Sequence, residues 1–303
     1  MSIASFENSN TQESESTMTD QNHPQHPASM SRRSLLSAAA IAPLAAGAVV
    51  GTASAQTARS GTGKAAIVTG SSRGIGAAVA KRLAREGYSV TVNFVVNRDL
   101  AQAVVRDIES AGGKAISVQA DISDPNAVRR LFDENDKAFG GVDVVVANAG
   151  IIRQTPMSEM TDENFNRLID VNMKGGFYTM REAARRVRNN GRIITLSSTV
   201  AHARLPASGP YGATKAAQEI YANVLAKELA GRMISVNAIA PGPVNTTLFT
   251  DGNTAQAIAG FVQRTPHHRL AEPEDIANVI AALCSSDGMW VSGQTILANG
   301  GLI

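Results

Sequence analysis

A chain of 303 residues, 44% of them hydrophobic, can build one large domain or two small ones around a sizeable core. Its 28 basic and 26 acidic residues nearly cancel and form no block of one sign. That excludes nucleic acid as a main partner, because a phosphate backbone demands a clustered basic face. The single cysteine, Cys284, excludes an intrachain disulfide and a cysteine-rich metal site, and the five histidines do not fall at metal-ligand spacing, so no metal is expected.

Residues 1–29 are rich in Ser, Thr, Asn, Gln and His, with Ile3, Phe6 and Met18 their only large apolar side chains after Met1. Such a segment cannot bury enough surface to offset its ordering entropy, and it reads as a disordered polar tail. Next, Ser31-Arg32-Arg33-Ser34-Leu35-Leu36 opens an uncharged Ala/Gly-rich run that reaches the small-residue site Ala53-Ser54-Ala55. Residues 30–55 therefore resemble a twin-arginine export signal, with Ser37 where a lysine is usual. A membrane anchor is the alternative, since Ser34 to Gly51 approaches the ~20 residues of a bilayer span. Its alanines, glycines and Pro43 make a poor one. The expectation is a periplasmic protein without a stable span in its mature form; a cytoplasmic one is the alternative. Residues 56–63 read as a linker.

From residue 64 to 303, β-branched runs alternate with helical patterns, which implies a single doubly wound α/β domain of the Rossmann type. About seven parallel strands would carry helices on both faces. The first strand, Ala65–Thr69, runs into Thr69-Gly70-Ser71-Ser72-Arg73-Gly74-Ile75-Gly76 and a helix from Ala77 to Glu86. Strand, glycine turn and helix start make a dinucleotide pyrophosphate site: the glycines admit phosphate to the backbone, and helix N–H groups face the anion. The second strand, Val90–Phe94, exits through Val95, Val96 and Asn97, with no acid before Asp99. An acid at that exit binds the adenosine ribose of NAD; its absence, with Arg73 in the turn, favours the 2′-phosphate of NADP(H) over NAD(H). A guanidinium–phosphate contact is worth about 1.5–3 kcal/mol.

A helix over Leu100–Ala111 leads to the third strand, Ala115–Ala120, whose exit carries Asp121 and Ile122. Asp121 is suited to accept from an adenine amino group or to cap the helix Pro125–Ala138, although Ser123 or Asp124 is the more natural cap. The fourth strand, Val142–Ala147, leads to Asn148-Ala149-Gly150, placed against the adenosine ribose. Gly150 can be there for its backbone freedom. One helix is expected over Asp162–Asn189, then the fifth strand, Arg192–Ser197, with Ser198 at its exit. Thirteen residues on, Tyr211 and Lys215 share one face of a helix. A phenol with a pKa near ~10 is a poor acid–base group, and a neighbouring ammonium would lower it. A sixth strand, Ile234–Ile239, and a seventh, Thr295–Ala298, complete the sheet.

In combination these motifs, with Asn172 and Pro241-Gly242, resemble the short-chain dehydrogenase/reductase family over residues 64–303; Ala147 stands where the family often has Asn. The resemblance implies an enzyme that moves hydride between nicotinamide and a carbonyl or secondary alcohol. Tyr211 would donate the proton, Ser198 would bind the same oxygen, and Lys215 would hold the nicotinamide ribose and lower the Tyr211 pKa. Asn172 would hold a water linking Lys215 to solvent. Pro241, Gly242, Val244 and Thr246 would wrap the nicotinamide, and four copies of the chain would associate. Ser197 competes for the serine role, but the spacing to Tyr211 and strand alternation favour Ser198.

Substrate contacts are expected from Ile151-Ile152, Thr199 to Arg204 and Asn245 to Leu270, the last with a lid helix over Ala255–Val262. His202 or His267 could meet a polar substrate group. The pattern resembles 3-oxoacyl reductases and glucose-dehydrogenase-like members alike. Two other readings stay open: an NAD-dependent sugar or alcohol dehydrogenase, and a catalytically silent NADP-binding sensor or scaffold.

Overall fold

The computed structural model describes residues 60–303; the polar tail, the arginine pair and the signal segment lie outside them. Seven strands form one parallel sheet in the order β3-β2-β1-β4-β5-β6-β7. They are β1 (Ala65–Val68), β2 (Ser89–Phe94), β3 (Lys114–Gln119), β4 (Val142–Ala147), β5 (Val187–Leu196), β6 (Ser235–Pro241) and β7 (Thr295–Ala298). From β1 the chain first winds outward to β3, then crosses back to β4 on the other side. The strand order therefore switches between β1 and β4, and a crevice opens at their carboxyl ends.

Helices cover both faces because the strands are apolar on both. Alternate residues of one strand enter different cores. Val68, Val144 and Val146 pack with Leu83 of α1 (Gly74–Arg85), Ile108 of α2 (Arg98–Ser110) and Ile280 of α10 (Pro273–Cys284). Ile67 and Val145 face the opposite core, with Phe132 of α3 (Pro125–Phe139), Met180 of α5 (Gly176–Arg186) and Ala222 of α7 (Gly209–Glu228). Cys284 is buried in the first core, and burial pushes its thiol up to about 12, as suits an inert small hydrophobe. Asp124, not Ser123 or Asp121, caps α3 by accepting from the Asn126 N–H, and Pro125 takes its first position. Among the described residues no helix is long and apolar enough to cross a membrane.

The expected single helix over Asp162–Asn189 is three pieces. An α-helix, α4 (Asp162–Leu168), passes into a π-helical stretch at Ile169–Gly175 and then into α5. The last three expected helical residues belong to β5, where Val187 pairs with Val142 before the register slips. The cause is local: Asn190 takes a positive φ, and a Cβ on Gly191 would meet the Val187 side chain and the Asp143 carbonyl. Other boundaries move by three residues or fewer: α1 begins at Gly74, inside the glycine turn, and β6 runs on to Pro241.

Candidate active site

The carboxyl ends of the strands line a cavity of about 870 Å³. At its floor, Gly70 and Gly74 have φ of +60° and +56°, a region in which a side chain would be strained. A Cβ on Gly70 would lie 2.9 Å from the Ala149 backbone, and one on Gly76 2.5 Å from the Gly70 carbonyl, so the turn is tight as well as left-handed. Asn93, at the end of β2, locks it: its Oδ1 accepts from the Gly70 N–H, and its backbone carbonyl from the Ser71 N–H. Asn148 fastens the turn from the other side, donating to the Thr69 and Gly70 carbonyls at 2.8 and 3.1 Å. Helix α1 starts without a side-chain cap or an acid in its first turn. Its terminal N–H groups and dipole are thus left to an anion, and the cradle fits a pyrophosphate. Ser72, Arg73 and Ile75 complete this wall.

Toward the adenosine end, Phe94, Val95, Val96 and Asn97 line the cavity, and Arg73 is exposed beside it. Through Asn97 the exit carries no carboxylate, so nothing here repels a 2′-phosphate. Asp121 and Ile122 line the cavity as expected. Burial raises the Asp121 pKa, but hydrogen bonds from the Ser123 side chain and backbone and the nearby Arg167 guanidinium bring it below the usual carboxylate range. Arg167 and Asn93 were not singled out from the sequence. A buried asparagine ending an apolar strand is a visible signal; the Arg167–Asp121 approach, across 46 residues of chain, is not.

At the catalytic end, Ser198, Tyr211 and Lys215 converge. Lys215 Nζ donates to the Leu196 carbonyl at 2.8 Å and lies 5.9 Å from the centre of the Tyr211 ring. Burial pushes Tyr211 up to about 12, opposed by the nearby Ser198 hydroxyl, and burial pulls Lys215 down to about 8. In the chain without its cofactor, burial is thus the larger influence on the Tyr211 phenol. Ser197 turns away, donating to the Lys215 carbonyl and to Glu219. Asn172 sits in the π-helical stretch, a device that re-aims side chains at functional sites. Its amide donates to the Ile151 carbonyl and the Thr214 hydroxyl and accepts from the Ile151 N–H. Gly150 is needed for space rather than for backbone freedom: its φ is not positive, and a Cβ would lie 3.4 Å from Lys215 Nζ and 3.2 Å from Asn172 Oδ1.

The last wall follows β6. The Pro241 carbonyl accepts from Thr199, Gly242 donates to Ala298, Val244 bridges to Ala271, and the Thr246 methyl would stand 3.3 Å from a Cβ on Gly74. The segment thus closes against the glycine turn. Beyond it, α8 (Thr247–Thr250) and α9 (Ala255–Arg264) form an apolar flap in which Phe249 and Phe261 meet edge to face at 5.6 Å. Neither His202 nor His267 lines the cavity; His202 is bound to Glu219 instead.

Residues 70–303 match a family model described as enoyl-(acyl carrier protein) reductase. A short-chain dehydrogenase from Burkholderia cenocepacia in complex with NADP superposes with a TM-score of 0.77 at 36% identity, over 80% of this chain and 99% of that one. The chain is a short-chain dehydrogenase/reductase. Among other members, NADPH-dependent aldehyde reductase 2 of Arabidopsis thaliana is 41% identical over 256 residues, 80% of this chain and 94% of that protein. The angucycline C-6 ketoreductase LanV with bound NADP gives a TM-score of 0.76 at 34% identity, over 80% of this chain and 96% of LanV. This family member is an NAD(P)-dependent oxidoreductase, and the uncapped helix start and the acid-free β2 exit are in keeping with a dinucleotide cofactor such as the NADP held by those two solved relatives.

Proposed function

We propose that the enzyme reduces the carbonyl of a small apolar aldehyde or ketone, or runs the reverse reaction, with Tyr211 as the proton donor. One observation carries the reading: a buried tyrosine lines the cavity together with Ser198, with the Lys215 ammonium 5.9 Å from its ring centre. Bound NADPH supplies the hydride. The Tyr211 phenol gives its proton to the substrate oxygen, to which the Ser198 hydroxyl donates a hydrogen bond. The Lys215 ammonium stabilises the phenolate that remains. Lys215 also holds the nicotinamide ribose, Arg73 the 2′-phosphate and Asp121 the adenine. Asn148, Ala149 and Gly150 would lie along the adenosine ribose, and Pro241, Gly242, Val244 and Thr246 along the nicotinamide. Asn172 supports Lys215 by fixing Ile151 and Thr214. The apolar flap and the words aldehyde and ketoreductase in the relatives' names favour an apolar carbonyl over a sugar.

NADPH oxidation by the full-length protein, followed against apolar aldehydes, ketones, 3-oxoesters, quinones and sugars, tests this. Turnover of the apolar aldehydes or ketones is expected. No oxidation across the panel would favour the scaffold reading instead.

Two readings outside the site belong to the same proposal. Arg32-Arg33 and Ala53-Ser54-Ala55 support export to the periplasm with cleavage before Gln56. Cell fractionation should find the shortened protein there, and replacing both arginines by lysine should keep it inside. Self-association, as a tetramer, is supported by the open edge of β7 and by an exposed apolar face on α5 and α7 that includes Phe177, Ile220 and Val224.

A further inference from the structure

Ser198 stands between two residues tied to a single carboxylate oxygen. Ser197 Oγ donates to Glu219 Oε1 at 2.5 Å, and His202 Nε2 lies 2.9 Å from that same oxygen. Ser197 immediately precedes the active serine, and His202 follows it by four residues on a short helix, α6 (Val200–Ala203). Glu219 belongs to α7, one turn beyond Lys215 and two beyond Tyr211, so the three share a face of that helix. The helix that carries the proton donor therefore grips the chain on both sides of Ser198. Neither Glu219 nor His202 lines the cavity. The Glu219 side chain is 16% exposed, which shelters its bond to Ser197, while the His202 side chain is 36% exposed.

We propose that Glu219 is a positioning residue for this reaction: through Ser197 and His202 it sets where Ser198 stands relative to Tyr211. The inference rests on the tyrosine mechanism proposed above. Without the carboxylate, Ser197 keeps only the Lys215 carbonyl, and α6 loses its side-chain tie to α7. Small displacements of a group that must meet a reacting oxygen are costly: about 1 Å can take a hundredfold from the rate. The glycine turn and the Lys215–Leu196 bond do not depend on Glu219, so cofactor affinity should not follow.

The test uses the full chain, NADPH, and the carbonyl of the panel that it turns over fastest. Glu219→Ala should lower kcat by roughly ten- to a hundredfold, leaving the NADPH Kd, read by fluorescence, within about twofold. Glu219→Gln should restore most of the rate, because its amide oxygen can accept from both Ser197 and His202. Ser197→Ala with His202→Ala should match Glu219→Ala, and adding the third change should cost nothing more, the mark of one shared link. Wild-type kcat in Glu219→Ala overturns the proposal. So does a loss of rate that Glu219→Gln fails to repair while NADPH affinity and melting temperature fall in step. If Glu219→Ala does not fold, full turnover in the Ser197/His202 double variant overturns it equally. Tyr211→Phe separates the two levels: full turnover there removes the tyrosine mechanism itself.

Discussion

The Lys215 ammonium donates to the carbonyl of Leu196, the last residue of β5, across 2.8 Å of buried space. One bond thus holds the charged end of α7 to the strand from which Ser198 emerges. Its burial has a cost that can be read in stability. The Lys215 pKa falls from 10.5 to about 8. Below pH 8 both folded and unfolded chains carry the proton, and the desolvation penalty is present in full. Between about 8 and 10.5 the unfolded chain binds more protons than the folded one, so this group's contribution to stability rises with pH. Lys215→Met removes the charge and keeps most of the bulk. Its melting temperature, compared with wild type in cofactor-free protein from pH 7 to pH 9.5, should lose ground steadily as pH rises. A constant difference would show that Lys215 does not titrate in that window.

Tyr211, the proposed proton donor, is buried, and burial pushes its phenol up to about 12 in the cofactor-free chain. Tyr211→Phe removes the donor and little else. We expect turnover to drop by a factor of about 10²–10⁴, the usual worth of general acid catalysis, with NADPH affinity unchanged within a few fold. Steady-state rates and a fluorescence titration on the same protein check both halves. Retention of a tenth of the rate would exclude Tyr211 as the acid.

Local chemistry made much of this enzyme legible before its structure. Gly70, Gly74 and Gly76 announce a phosphate turn because a left-handed, crowded backbone allows little else. The thirteen residues from Ser198 to Tyr211 separate the candidate serine from Ser197, which the fold turns toward Glu219. The π-helical stretch at Ile169–Gly175 was not legible, since one extra residue per turn leaves helical periodicity nearly intact over so short a span. Nor were the raised Tyr211, the Arg167–Asp121 approach or the Glu219 link. Each is set by burial or by partners far apart in sequence, and no local pattern reports such distances.

The α5–α7 face offers a check on assembly. Ile220 is 63% exposed, Val224 stands one turn along the same helix, and the exposed Phe177 of α5 meets Tyr221 of α7. Light scattering should show an oligomer at micromolar concentration. Ile220→Glu with Val224→Glu should shift it to smaller species, because burying two carboxylates in an apolar contact is strongly unfavourable. A wild-type monomer at that concentration would refute the assembly.

Arg73 supplies the sharpest test of how the enzyme holds its cofactor. It is exposed at the start of α1 and lines the same cavity as Val95, Val96 and Asn97 of the β2 exit, which carries no carboxylate. Two effects should add: a guanidinium–phosphate contact worth about 1.5–3 kcal/mol, and the lack of an acid to accept from the free ribose hydroxyls of NADH. Fluorescence titration should therefore show NADPH binding roughly ten- to a hundredfold tighter than NADH at low salt. Arg73→Ala should weaken NADPH and leave NADH nearly unchanged, shrinking the ratio from one side only. Raising the salt should shrink it in the wild type but not in the variant, because screening acts on the charge pair alone. Equal losses for both cofactors would place Arg73 in the pyrophosphate cradle rather than at the 2′-phosphate.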